Sequence, residues 1–196
     1  MSVGAGSMTG MSAEAIGRLM PATVTLDDLA AMIAADKHGH RYETSTQGVL
    51  SVVPPPDGTH AKIATHLMSW LLKAGWPEDQ LMQVAGIRIA GPAGDAGRIP
   101  DLTVWSRDPG HAVWYDVDGL LLVIEIISPG SEATDQVTKV AEYASANIPL
   151  YWTVARDTVN TVTMYRLVDG AYQVTDRKPL RWLLNSAPGE HLPVES

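Results

Sequence analysis

The chain contains no cysteine. That absence excludes disulfides, thiolate-bound zinc and cysteine nucleophiles together. No apolar run is long enough to span a bilayer, so no membrane partner is expected. The opening residues, MSVGAGSMTGMSAEAIG, are small and polar and carry no signal-peptide core, which makes the cytoplasm the default location. Positive charge is scarce: 14 Lys and Arg stand against 22 Asp and Glu, for a formal net charge of -8. This balance argues against a surface made for tight nonspecific nucleic-acid binding. It still allows a metal-binding acid cluster served by a local basic patch. Several catalytic motifs are also missing. There is no GxSxG element, and GPAGDAG lacks the lysine that ends a phosphate-binding loop. His60 and His66 do not have the spacing of a zinc-protease helix.

What remains is a globular composition, with 45% apolar residues in 196. That length suits one domain with a substantial core. Residues 1–20 read as a flexible leader, 21–186 as a single domain and 187–196 as a tail. Thr25, followed by Asp27 and Asp28, predicts a helix start, and Gly39 its end. Residues 42–53 predict a hairpin around TSTQG, and three prolines then break it. In HAKIATHLMSWLLKAG, Ile63, Leu67, Trp70, Leu71 and Ala74 recur at helical spacing. Strands are expected at 84–90, 101–106, 119–127, 150–155, 161–167 and 171–175, with GPAGDAGRIP as a loop. A third helix is expected over 132–146, with Val137, Val140, Ala141 and Ala144 as its apolar stripe. The order is α+β: a mixed central sheet flanked by helices, preceded by a helix and a hairpin.

The stretch 120–131, LLLVIEIISPGS, is the most informative. It predicts a strand apolar on both faces, hence central, with Glu125 inside it. A buried carboxylate costs several kcal/mol unless a cation meets it. If strands 101–106 and 119–127 pair antiparallel, Asp101 and Glu125 fall at the same end of the ladder. Two such acids repel, and a divalent cation removes the penalty. Oxygen-only ligands favour Mg2+, or Mn2+, and suit phosphoryl transfer. The competing reading makes Asp101 a turn residue after Pro100 and pairs Glu125 with Arg98 or Arg88.

Arg98-Ile99-Pro100-Asp101, VIEIISPGS, Asp135, Lys139, Tyr143 and IPLYW occur in that order. This series resembles the Uma family of putative restriction endonucleases, within the PD-(D/E)XK nuclease superfamily. RYETSTQGVLSVVPPPDGTHAKIATHL resembles the family's N-terminal hairpin and following helix, so the likeness spans roughly residues 22–184. It implies a restriction endonuclease-like fold and a magnesium-dependent endonuclease acting on nucleic acid, with DNA as the expected substrate. It also implies that Asp101 and Glu125 bind the cation with the Ile126 carbonyl, and that Lys139 is catalytic. The superfamily's usual lysine position is occupied here by Ile127, so the resemblance moves the lysine to the next helix. Helical spacing alone reads Lys139 as half of a solvated pair with Asp135, worth about 0.2–0.5 kcal/mol.

His60 matches a histidine common at this point in the family and could hold a metal-bound water or a phosphate; otherwise it is an exposed residue at a helix start. Glu43 is read as a strand-edge glutamate or a further acid. Ser128 and Ser131 are read as turn and cap residues. The departure at Ile127 and the acidic charge leave a second reading open: a module that kept the fold and binds nucleic acid without cutting it. A homodimer is expected, since six tryptophans supply interface surface and a twofold assembly reaches both strands of a duplex.

Overall fold

The structure, a computed structural model, describes residues 23–127 and 134–192, with side chains omitted at 134–136. The expected leader at 1–20 and the turn at 128–131 therefore lie outside the described residues. Helix α1 (Leu26–Ala35) starts as its sequence requires: Thr25 Oγ1 accepts from Asp28 N–H at 3.2 Å, and Asp28 returns the bond to Thr25 N–H at 2.9 Å. It ends earlier than Gly39. Asp36 leaves the helix in an extended conformation and its carboxylate accepts from His38 N–H, His40 N–H and the Tyr42 hydroxyl. Local side-chain bonds of this kind compete with helix propagation.

Strands β1 (Arg41–Thr44) and β2 (Leu50–Val53) form the expected hairpin, with Arg41 opposite Val53 and Thr44 opposite Leu50. Helix α2 (Gly58–Lys73) is capped by Asp57, which accepts from Thr59 N–H and His60 N–H at 3.0 Å each. It buries Ile63, Leu67, Trp70 and Leu71. These meet Leu102, Leu122, Ile124 and Trp152 on one face of the central sheet.

The strands of that sheet are β3 (Leu81–Gln83), β6 (Leu102–Trp105), β8 (Leu120–Ile126), β9 (Leu150–Val154), β10 (Thr161–Val168) and β11 (Ala171–Pro179). Among the described residues they run in the order β11-β10-β9-β8-β6-β3. β8 and β9 pair parallel, the other neighbours antiparallel, which makes the sheet mixed as expected. Helix α3 (Thr134–Ser145) covers the opposite face, where Tyr143 packs with Val123, Trp105 and Tyr151. Both faces of β8 are thus covered, which explains its nearly unbroken apolar run.

Three local expectations fail. GPAGDAGRIP is not all loop: β5 (Ala96–Arg98) lies within it and pairs with β4 (Ile87–Ile89), which also pairs with β7 (Tyr115–Asp116). Gly97 suits this strand because a Cβ there would come within 2.7 Å of Leu29 Cδ1 and 2.8 Å of Trp114 Cη2. The strand expected at 84–90 is confined to Ile87–Ile89, and Val84, at a positive φ of 58°, lies outside it. Of the 187–196 segment, read as a tail, the described residues 187–192 instead form a 3-10 turn at Pro188–Glu190 and bury Leu192 in the core. Helix α4 (Leu180–Leu183), absent from the sequence reading, precedes it. Among the described residues no helix is long and apolar enough to cross a membrane.

Candidate active site

The ladder between β6 and β8 sets Leu102 opposite Ile124. Asp101, one residue before β6, therefore lies beside Glu125 and Ile126 at the end of β8. The Asp101 carboxylate accepts from Ile126 N–H at 2.8 Å, which locks the two strands at this point. Ile127 N–H bonds the Val154 carbonyl on the other side. Backbone direction alternates along a strand, so the polar groups of Ile126 face β6 and Asp101. The expected neighbours Asp101, Glu125 and Ile126 are thus brought together.

Asp101 is 3% exposed and has further contacts from distant elements. Arg41 Nη1, from β1, bonds Oδ1 at 2.9 Å. His60 Nε2, in the first turn of α2, lies 3.0 Å from Oδ2. His60 is 6% exposed, so it is a buried partner of the acid rather than an exposed helix-start residue. Burial pushes the Asp101 carboxyl up, but the His60 bond and charge, with Arg41 and the Ile126 N–H, outweigh it and hold it below its usual value.

Glu125 takes the opposite course. Burial first, then the nearby charges of Asp101 and Glu43, push its carboxyl above the usual range, against the pull of Lys139 and Tyr143. Its Oε1 accepts from Lys139 Nζ at 2.9 Å and from the Tyr143 hydroxyl at 2.7 Å. The Tyr143 ring packs against Tyr151 with centroids 5.3 Å apart, which fixes the hydroxyl. The cation expected from Arg98 or Arg88 comes instead from Lys139. Arg88 sits outside with Asp116 and Asp95.

Lys139 points inward, so it is not a solvated surface residue. Only 14% of its side chain is exposed. Burial lowers the ammonium, but the charges of Glu125 and Glu43 outweigh this and raise it well above the usual lysine value. The Asp135 side chain lies outside the described residues. The apolar stripe assigned to this helix holds in part: Ala144 is buried and Val140 packs on the core, but Val137 is 72% exposed and Ala141 is exposed, while Glu142 and Tyr143 are buried. The buried face of the helix meets a polar cluster as well as the core, so hydrophobic periodicity finds only part of it.

Glu43 belongs to that cluster and is not a solvated strand-edge residue. It is 2% exposed, with Oε1 accepting from Ile99 N–H at 3.2 Å and Oε2 facing Arg98 Nη1 at 3.3 Å and Lys139 Nζ at 3.5 Å. Arg98 Nε bonds Glu142 at 2.6 Å, and Glu142 accepts from Thr46 N–H at 2.7 Å. Sequence reasoning misses Arg41 and Glu142 altogether. It notes Tyr143 without a role, although the i,i+4 spacing from Lys139 puts both on one helix face.

Around the site, Glu43, Asp101, Glu125 and Glu142 face Arg41, Arg98 and Lys139, one more acid than permanent cation. Among the described residues no three His, Cys, Asp or Glu side chains form a ready-made metal cage. Two adjacent carboxylates with spare negative charge do fit a hard cation such as magnesium, which keeps several waters of its own. Asp101 and Glu125 would hold it, with the Ile126 carbonyl facing the same edge.

A family model, Uma2, described as putative restriction endonuclease, matches residues 26–195. Among solved structures, the chain is similar to the crystal structure of a putative nuclease belonging to DUF820 from Anabaena variabilis. That match has a TM-score of 0.55 at 22% identity, covering 76% of this chain and 83% of that one. Likeness at that identity establishes a shared fold. No curated protein matches the chain.

Proposed function

This chain belongs to the Uma2 family of putative restriction endonucleases, and on that footing we propose that it is a magnesium-dependent endonuclease hydrolysing DNA phosphodiester bonds. The observation that carries this reading is the meeting of Asp101 and Glu125 at one end of the β6–β8 ladder, with Lys139 Nζ bonded to Glu125. Magnesium bound there, or manganese in its place, would supply charge that activates water and offsets phosphate charge. The protein's own groups set the rest. Asp101 is held ionised by Arg41 and His60. Glu125 is a buried carboxylate whose charge Asp101 and Glu43 disfavour, so a cation beside it would relieve that cost. Lys139 stays charged, so it orients the attacking water and stabilises charge growing on phosphate oxygens rather than taking a proton. His60 and Arg41 keep the Asp101 carboxylate in place. A twofold dimer would present two such sites to a duplex.

The second reading is a binding module without turnover. One observation favours it: Lys139 already pairs with Glu125 at 2.9 Å, so a cation stands on this acid without any metal. Calorimetric titration of magnesium and manganese into wild type and Glu125→Gln, with supercoiled plasmid alongside, separates the two. The nuclease reading expects binding and nicking in wild type and neither in the variant. Nicking retained by pure Glu125→Gln removes it. Salt-sensitive DNA binding with background cleavage in manganese selects the module.

A further inference from the structure

Glu43 is the buried acid in contact with Lys139 that the proposed chemistry leaves without a task. It enters from the N-terminal hairpin, on β1, while Glu125 enters from the centre of the main sheet. The Lys139 ammonium sits between them, 2.9 Å from Glu125 and 3.5 Å from Glu43. We propose that Glu43 is a positioning residue that fixes the Lys139 ammonium beside Glu125 and is not itself a metal ligand; the inference rests on the nuclease reading of the site.

Three observations support the assignment. A lysine side chain is a flexible four-carbon stem with three rotatable donors. One carboxylate partner leaves that ammonium free to pivot, whereas two partners from separate elements define its place. Second, a cation bound at Glu125 would compete with Lys139 for that carboxylate's charge, and Glu43 is then the partner that remains. Third, Glu43 is not free to turn toward the Asp101 side. Ile99 N–H holds Oε1 and Arg98 holds Oε2.

The test compares Glu43→Gln with Glu142→Gln. Each removes one carboxylate from Arg98, but only Glu43 touches Lys139. The amide that Glu43→Gln introduces keeps an acceptor for Ile99 N–H. In this variant, kcat on plasmid DNA is expected to fall on the order of 10- to 100-fold, as for other groups that orient a catalytic residue. KM and manganese affinity by calorimetry should stay close to wild type. Lys139 should be acylated faster by an amine-modifying reagent, read by peptide mass spectrometry. Glu142→Gln should retain wild-type Lys139 labelling and lose much less kcat. Glu43→Asp, which keeps the charge, should recover part of the kcat. A large loss of manganese affinity in Glu43→Gln would make Glu43 a ligand and overturn the proposal. Equal losses of kcat and equal labelling in both variants would reduce it to a structural residue. If wild type does not cleave, the nuclease reading falls, and labelling alone decides whether Glu43 positions Lys139.

Discussion

Arg98 and Glu142 meet Nε to Oε2 at 2.6 Å, each side chain 3% exposed, and join β5 to α3 across the back of the site. Glu142 also takes the Thr46 N–H and hydroxyl, so the hairpin hangs on the same carboxylate. Removing Glu142 leaves Arg98 with Glu43 alone and the buried Thr46 N–H without its acceptor, and breaking a buried pair typically costs about 3–5 kcal/mol. Glu142→Ala should lose stability in that range by urea unfolding at neutral pH. A loss below about 1 kcal/mol, the scale of an exposed pair, would show that the pair is solvated.

Lys139→Met keeps most of the stem and removes the charge. If Lys139 stabilises charge on the phosphate, kcat should fall on the order of 10²–10³-fold. Asp101 and Glu125 remain, so manganese should still bind by calorimetry. Plasmid nicking at the wild-type rate would count against any catalytic part for this lysine.

Asp36 gives a pH prediction. Burial raises its carboxyl, but bonds from His40 N–H, the Tyr42 hydroxyl and His38 N–H outweigh that and hold it well below the usual value. An acid with a lowered folded-state pKa stabilises the fold above its unfolded pKa, about 3.9 for aspartate. The contribution disappears as pH falls through the folded value. Wild type should therefore exceed Asp36→Asn in stability near neutrality, with the gap closing in strong acid. A gap that does not change with pH would mean the ionised form is not what matters.

Gly97 has no room for a methyl group. A Cβ would lie 2.7 Å from Leu29 Cδ1 and 2.8 Å from Trp114 Cη2, and Trp114 is held by an indole bond to the Leu26 carbonyl at 3.0 Å. Gly97→Ala should lower stability by about 1–3 kcal/mol through overpacking. Adding Leu29→Ala should recover part of this in a double-mutant cycle by thermal unfolding, and strict additivity would show that the two residues do not compete for space.

The framework is legible in the sequence where one physical signal dominates. The double-faced apolar run locates β8 as the central strand, and the spacing of Ile63, Leu67, Trp70 and Leu71 locates α2 and its buried face. The antiparallel pairing of β6 with β8 brings Asp101 to Glu125 as expected. Where polar groups are buried, the same signals fail. α3 leaves Val137 outward and turns Glu142 and Lys139 inward beside Tyr143, because part of what it covers is ionic. Glu43 cannot be distinguished from a solvated strand residue by pattern, since its partners Arg98 and Ile99 lie more than fifty positions away. β5 is hidden by its glycine, a residue that weakens a strand's pattern unless a large neighbour needs the space.

The polar cluster also has a consequence for the order of synthesis. Arg41 and Asp101 are 60 positions apart, and Thr46 and Glu142 are 96 apart. A nascent chain that has emerged only as far as β8 carries Asp101 and Glu125 but neither Lys139 nor Tyr143. Loop closure over such distances precedes any gain from the contacts. Asp101 therefore meets Arg41, His60 and the Ile126 N–H without α3, whereas Glu125 stays unmatched until α3 docks, so a half-made polypeptide holds only half of this centre.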